Sequence, residues 1–250
     1  MRISQINISA PLKYTYIQSK NNQAPIVQTV HNNEKKYSAE NVKANFIPNF
    51  NGYKKVGYTT LKHRVTGIPV RAELRKNTIK KDNIGSFSFF SLILDREEIG
   101  YMVLDCDSVY PVAEHVMTFP TDNIPKVAHL RSIGGDKYSG IGTALIKAAI
   151  QESYNNGNYG NLWLTSEKGY AKSFSKYRSD ENPIPFYYKV GFKAPNKKTD
   201  NLITNCLKNN KYEDLPKFAD LLLTQEAKNK WLKELVKNPI MKFKRTPIDI

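Results

Sequence analysis

Polar and hydrophobic positions divide the chain into three parts with different patterns. Residues 1–50 are rich in Asn, Gln, Lys and Ser and have few periodic apolar positions. A segment of this kind buries too little apolar surface to offset its chain entropy, so we expect a disordered N-terminal arm over residues 1–50.

The pattern between Lys54 and Asp107 is typical of β-strands. Tyr58–Val65 and Val70–Arg75 flank Thr66–Pro69, which suits a hairpin turn. The aromatic run Ser86–Leu94 and the segment Ile99–Asp105 are separated by a polar turn at Asp95–Glu98. The sequence therefore predicts two β-hairpins in this part of the chain.

The spacing of apolar residues then changes from two to about 3.6 residues. Val127–Ile133 is typical of a strand, Gly134–Ser139 of a polar loop, and Gly140–Asn156 of an amphipathic helix. Leu162–Thr165 predicts another short strand, and Phe186–Phe192 another compact apolar element. The same spacing gives the helix its apolar face, formed by Ile141, Leu145, Ala148 and Ala149.

The remaining residues, from Lys197 onward, show apolar groups at helical spacing. We expect residues 197–250 to form a helical C-terminal extension that packs against a domain of residues 51–196. Three short apolar faces support this interpretation: Leu202, Ile203, Cys206 and Leu207; then Phe218, Leu221 and Leu222; and then Trp231, Leu232 and Leu235.

The net charge of +15 indicates anionic partners. A basic protein attracts phosphates, whether in a nucleotide cofactor, in nucleic acid or on an anionic surface. The positive residues are scattered from Lys13 to Arg245, which also fits a solvated lysine-rich surface. A nucleic-acid or ribosome contact stays open on this observation alone.

Few features indicate secretion, membrane insertion or metal binding. Arg2 is followed by no apolar run, and Phe87–Leu94 is far shorter than a bilayer span. Cys106 and Cys206 are far apart and match no metal-ligand spacing, so we expect buried thiols, no metal and a reducing compartment. The expected location is cytoplasmic, without membrane contact.

The loop and helix start at residues 137–143 carry the clearest chemical signal. A helix N-terminus presents unpaired backbone N–H groups and a partial positive charge, and both stabilise an anion. Gly140 and Gly142 would let a phosphate approach the backbone, and Lys137 would add a positive charge. With hydroxyl groups from Ser139 and Thr143, these residues predict a pyrophosphate-binding site.

Other folds place glycines at a helix start, so the alternatives must be weighed. The dinucleotide-binding fingerprint needs a small residue three positions after its second glycine, where this chain has Leu145. A Walker-type phosphate loop needs a lysine after the glycine, where this chain has Thr143. A purely structural helix start stays open as well.

Three segments together resemble the GNAT superfamily of N-acetyltransferases. Lys137–Gly142 (KYSGIG) is similar to the family's Gln/Arg-x-x-Gly-x-Gly/Ala motif, with lysine at the first position. Phe186–Phe192 (FYYKVGF) resembles its Phe-Tyr-x-x-x-Gly-Phe motif, and Ile99–Met102 (IGYM) its third strand. The resemblance covers roughly residues 85–192, with an insertion at about Glu167–Pro185.

The resemblance implies an α/β fold and a specific activity. The expected fold is a mixed, mostly antiparallel twisted sheet with helices on both faces. The expected cosubstrate is acetyl-CoA, whose pantetheine arm would pair with the strand end and whose pyrophosphate would bind the loop and helix start. The residues implied in cosubstrate binding are Leu130, Arg131, Ser132, Lys137, Tyr138, Ser139, Gly140, Ile141, Gly142 and Thr143.

The resemblance implies two catalytic tasks, a proton donor and a base. Tyr187 matches the motif tyrosine that protonates the departing thiolate, although it could equally be a core aromatic residue. For the base, His129 on the predicted strand is the first candidate because its ordinary pKa lies near neutrality. Glu114 and His115 are alternatives, and Asp105 and Asp107 could attract a cationic amine or simply cap a strand end.

Two functions follow from these features. The first is transfer of an acetyl group to a primary amine of a small molecule or a protein. The second is a catalytically silent module of the same fold that binds an anionic partner through its basic surface. The basic segment Lys237–Arg245 keeps the second function open.

Overall fold

The computed structural model describes residues 4–7, 13–17, 26–29, 52–81, 85–108, 124–168 and 182–244. The chain divides into two compact units. The first contains Met1–Phe50 with Lys81–Ile84, and the second contains Asn51–Lys80 with Gly85–Ile250. Each unit is described by itself below.

The first unit contains a three-stranded antiparallel sheet. Strands β1 (Ser4–Asn7), β2 (Lys13–Ile17) and β3 (Ile26–Thr29) lie in this order, and each pairs with the next. The sequence predicts disorder over residues 1–50, and the residues described in that range form these three strands. Backbone pairing satisfies their peptide groups, a source of order that a count of apolar residues does not measure.

The second unit is built on a nine-stranded sheet in the order β11-β12-β10-β8-β7-β6-β5-β4-β9. Most neighbours run antiparallel, and β8 and β10 run parallel. The predicted α/β class with a mixed, mostly antiparallel sheet is confirmed. The strands are β4 (Lys54–His63), β5 (Pro69–Lys81), β6 (Gly85–Leu94), β7 (Glu97–Asp105), β8 (Lys126–Ser132), β9 (Tyr138–Ser139), β10 (Trp163–Glu167), β11 (Phe192–Lys193) and β12 (Phe218–Leu223).

Both predicted hairpins are present. β4 pairs with β5, and β6 pairs with β7. The turn in the second hairpin is shorter than expected, because β7 already begins at Glu97. Asp95 and Arg96 have φ values of 51° and 71°. Two successive positive φ values match a tight two-residue turn, whose twist suits the flanking strands.

Among the described residues, four α-helices flank the sheet: α1 (Ile141–Asn155), α2 (Ile184–Val190), α3 (Lys197–Lys208) and α4 (Gln225–Lys237). Helix α1 packs on β4, β6, β7 and β8, and α4 packs on α1. The central residues of α1, such as Leu145, Ile146 and Ile150, are fully buried in this core. Their burial fixes how the start of α1 lies relative to β8.

The C-terminal residues are not wholly helical, which corrects the sequence interpretation. Phe218–Leu223 forms β12, which lies in the sheet between β11 and β10. Ala219, Leu221 and Leu223 are buried in alternation with exposed or half-buried neighbours, so the period is two. Residues 197–250 therefore contribute a strand to the main sheet and are not simply an added helical extension.

Among the described residues, none of the helices combines the length and the apolar character needed to span a membrane.

Candidate functional site

The loop between β8 and α1 is held by backbone hydrogen bonds to its neighbours. The amides of Ile133 and Gly134 donate to the carbonyl oxygen of Ile99, and those of Lys137 and Tyr138 donate to that of Gly134. The loop then forms β9, which pairs with Lys62 and His63 of β4. This pairing, which the sequence did not predict, fixes the point at which α1 begins.

The first turn of α1 has no side-chain cap. Gly140 is the N-cap residue, and its φ of 94° is left-handed, a conformation that glycine adopts without a steric cost. Within the described residues, no acceptor lies at the amides of Ile141, Gly142 or Thr143. Orphan amides and the helix dipole together favour an anion here.

Two cations lie on or against the loop that precedes these amides. Arg64 donates from Nε to the carbonyl oxygen of Gly135 at 2.6 Å, and its own amide donates to the carbonyl oxygen of Lys137 at 2.8 Å. Lys137 is exposed, as is Asp136 of opposite charge beside it. Arg64 was missed in the sequence because it lies 71 residues from Gly135, and only the pairing of β4 with β9 brings it to the loop.

Three side chains predicted to bind the cosubstrate have other roles. The hydroxyl of Ser139 donates to the carbonyl oxygen of Lys62 at 3.3 Å, so its proton is already used. The ring of Tyr138 packs edge-on against His63, and Ile141 is buried in the core. At these positions, only the backbone is suited to contact an anion.

Glycine is present at positions 140 and 142 for different structural reasons. A Cβ at Gly142 would lie 2.8 Å from Cζ of Phe186, which is closer than Cβ contacts allow. At Gly140, a Cβ would meet only Leu61 at 3.7 Å. Gly142 therefore has a packing reason, the room that it leaves for the Phe186 ring, besides the predicted approach of a phosphate. Gly140 is required by its φ value.

Strand β8 leads into this loop and has neighbours of two kinds. It pairs with β7 from Lys126 to Ser132. In its parallel pairing with β10, Lys126 lies opposite Trp163, and each is the first residue of its strand. Leu130, Arg131 and Ser132, the predicted contacts of the pantetheine arm, lie at the other end, next to the loop.

The side chains at this end of β8 alternate between the two faces of the sheet. Leu130 packs against the hydrophobic core. Arg131 lies opposite Tyr101 of β7, and His129 lies two residues before it, on the same face as Arg131. His129 and Arg131 therefore lie on the face of the sheet away from Leu130 and the core.

His129 is held by Tyr101 in a half-buried position. Its Nε2 lies 3.1 Å from the Tyr101 hydroxyl, and the two rings stack with centroids 5.2 Å apart. Burial, and to a smaller degree the charge of Arg131, lower the pKa of His129. The imidazole is thus neutral at neutral pH, which is the form able to accept a proton.

Glu98 is a second titratable group on this face, which the sequence interpretation placed in a turn. Its carboxylate accepts a hydrogen bond from the buried hydroxyl of Ser91. Burial raises the pKa of Glu98, while Ser91 and the charge of Arg131 act in the opposite direction. The feature of the sequence that could have identified Glu98 is its position two residues before Gly100 and Tyr101.

The two tyrosines of α2 have different environments. Tyr187 is buried between Phe186 and Phe192, with ring centroids 5.2 and 5.8 Å away. Burial raises its pKa to about 12, and its hydroxyl has no hydrogen-bond partner in the described part of the chain. Tyr188 instead donates to Asp200 at 2.7 Å and accepts from the amide of Ala194.

The structure brings some predicted residues together and separates others. Phe186 links α2 to Gly142, so Tyr187 lies in the helix that packs on the start of α1. No described contact joins His129 to Tyr187. Glu114, His115 and most of the insertion at Glu167–Pro185 lie outside the described residues.

The two aspartates near the end of β7 cap that strand end. Asp107 accepts a hydrogen bond from the amide of Ser86 at 2.5 Å, and Asp105 accepts one from the amide of Asp107 at 3.2 Å. Burial raises the pKa of Asp105. The capping interpretation accounts for both residues.

Two surface cavities lie away from the loop in the described part of the chain. One of about 420 Å³ is lined by α2, β11 and α3, and one of about 750 Å³ by β4 and the segment after α4. Residues 137–143 line neither of them.

No protein-family model matches this chain, and no curated protein sequence matches it.

Proposed function

We propose that the protein is an N-acetyltransferase that transfers an acetyl group from acetyl-CoA to a primary amine. The observation that carries the proposal is the first turn of α1, where the amides of Ile141, Gly142 and Thr143 have no acceptor among the described residues. Three convergent N–H donors at a positive helix end suit the pyrophosphate of coenzyme A.

The surrounding residues fit such a group. Gly140 leaves the backbone open, and Arg64 and Lys137 add positive charge at the same loop. In the proposal, the amides of the first turn hold the pyrophosphate, and the backbone of Leu130–Ser132 holds the pantetheine arm. Acetyl-CoA supplies an activated acetyl thioester.

Two side chains have protonation states that suit acetyl transfer. Neutral His129 can accept the proton that an attacking amine must lose. Tyr187 keeps its proton at neutral pH because burial raises its pKa to about 12, so its hydroxyl can donate a hydrogen bond to a departing thiolate. The acceptor amine belongs to a small molecule or a protein, and both classes are retained in the proposal.

The test compares two substitutions of almost equal size at Thr143, in the first turn of α1. The negative charge of Asp at this position interacts favourably with the helix dipole but repels a phosphate. Asn has nearly the same shape without the charge. We expect Thr143→Asp to be at least as stable as Thr143→Asn but to bind coenzyme A at least about tenfold more weakly, measured by calorimetry. Equal affinities in the two variants would refute a phosphate site at the helix start.

The charge distribution supports a second candidate function, that of a catalytically silent module. The net charge is +15, and only four ion pairs form among the described residues. A silent module would bind a polyanion through this surface. It would show no coenzyme A binding in calorimetry, together with salt-dependent binding of heparin or RNA.

A further inference from the structure

A surface pocket between α2, β11 and α3 combines positive charge with aromatic walls. Its volume is about 420 Å³, within the range of small-molecule sites. Three lysines line it, Lys189, Lys193 and Lys208, together with the rings of Tyr188 and Tyr212.

The three lysines carry uncompensated charge. In the described part of the chain, none of their ammonium groups lies within 4.0 Å of a carboxylate. Asp200 accepts a hydrogen bond from the Tyr188 hydroxyl at 2.7 Å, and it is not among the residues that line the pocket. Like charges that converge on one concave surface repel each other, and an anion relieves this repulsion.

The aromatic residues indicate which kind of anion the pocket can bind. The ammonium of Lys193 lies over the Tyr188 ring, 4.3 Å from its centroid, which fixes one charge beside one wall. Tyr212 is half exposed, and Leu207 adds apolar surface. Because Tyr188 is buried and its ring is covered by the Lys193 ammonium, a planar ring can pack on Tyr212 while its phosphate contacts the lysines.

The position of the pocket relates it to the start of α1. Phe186 of α2 contacts Gly142, whereas Tyr188, two residues later, lines the pocket. Two residues correspond to about 200° around a helix, so the two contacts lie on opposite sides of α2. The pocket and the start of α1 therefore lie on opposite sides of α2.

We propose that this pocket binds the phosphate and base of a nucleotide. The ligand has two possible sources: the 3′-phosphoadenosine end of coenzyme A, or a separate nucleotide. The first source rests on the proposed acetyltransferase function, and the second does not. Both require the same chemistry, a phosphate ester next to a planar ring.

The test removes two pocket charges and compares the result with a matched loss elsewhere. Lys189→Gln/Lys208→Gln changes exposed side chains that line the pocket, and Lys54→Gln/Lys233→Gln changes exposed side chains outside it. Both double variants lose the same charge, so a general electrostatic effect is equal in the two. Thermal unfolding confirms that both are folded.

The probes are coenzyme A, dephospho-coenzyme A and ATP, each measured by calorimetry with the full chain at low salt. We expect one probe to bind about tenfold more weakly to the pocket variant than to the control variant. Weaker binding of coenzyme A but not of dephospho-coenzyme A identifies the 3′-phosphate. Weaker binding of ATP alone identifies a separate nucleotide.

Two outcomes would overturn the inference: equal affinities of the pocket and control variants for every probe, or no binding of any probe. The proposed function is tested separately by the Thr143 variants. Coenzyme A binding that is sensitive to Thr143→Asp but unchanged in the pocket variant leaves the function standing and removes the inference. ATP binding at the pocket without coenzyme A binding leaves the inference standing and removes the proposed function.

Discussion

The two ends of helix α1 are built in opposite ways. At its start, no side chain caps the helix, and three backbone amides have no acceptor among the described residues. In its last two turns, Gln151, Glu152, Ser153 and Asn155 all have hydrogen-bond partners.

The partners at the second end come from distant parts of the chain. Gln151 exchanges two hydrogen bonds with the backbone of Met241, and Asn155 accepts from the amide of Lys244 at 2.9 Å. Glu152 pairs with Lys76 of β5 at 2.5 Å. One helix can thus be anchored at one end while its other end presents its amides to a ligand.

The largest expected effect is at the anchored end, at Glu152. Glu152→Ala leaves Lys76 half-buried without its partner, so we expect a loss of about 3 kcal/mol in the free energy of unfolding. The exposed Glu226→Ala is the control, with a change below about 1 kcal/mol because Glu226 lies in the first turn of α4. Urea unfolding measures both.

The double variant Lys76→Met/Glu152→Met separates the ion pair from a general loss of packing. It removes both charges and should recover part of the stability. A Glu152→Ala variant as stable as the Glu226 control would contradict the role of the pair as an anchor.

The next largest effect is expected at Gln151, which is fully buried. Gln151→Ala removes the side-chain partner of the amide and the carbonyl of Met241, at a cost of about 2 kcal/mol. Faster hydrogen exchange of the Met241 amide should accompany the loss. The exposed Gln225→Ala serves as control, and an unchanged exchange rate at Met241 would show that other contacts hold this segment.

A smaller effect compares two glycines at opposite ends of α1. Gly140 and Gly157 have φ values of 94° and 86°, and a methyl group added at either position would have no atom closer than 3.7 Å. Alanine at either position should therefore cost about 1 kcal/mol through backbone strain alone. Only Gly140→Ala should also weaken coenzyme A binding, and equal binding by both variants would contradict an anion site at the start of α1.

The smallest effect concerns the protonation of His129. Because its folded pKa is lowered by burial, the unfolded chain binds this proton first as the pH falls. The stability contributed by neutral His129 is full above pH of about 6.5 and is lost as the pH falls toward the folded pKa. NMR titration of the imidazole should give a midpoint below about 6.5, and a midpoint above it would exclude this residue as a group held neutral by burial.

The local elements were largely predictable from the sequence. The strand, loop and helix from Val127 to Asn156 were predicted within a residue or two, because strong periodicity and flanking glycines mark their limits. β12 was predicted as a helix because a short run such as FADLLL fits both periods. Only its pairing with β10 and β11 decides between them.

The candidate site was predictable only in part, for a related reason. The sequence identified the loop from Lys137 to Gly142 but not Arg64 or Glu98, which reach it or its strand through sheet pairing. It also did not predict that the ring of Phe186 lies against Gly142, because the two residues are distant in the chain.

The sequence by itself determined where most strands and helices lie and which helix begins with glycines, because these features depend on neighbouring residues and on backbone geometry. The tertiary structure alone decided which side chains surround the helix start, which polar groups anchor its other end, and which lysines converge on one pocket. Those contacts join residues far apart in the chain, and they form only when the sheet order brings their strands and helices together.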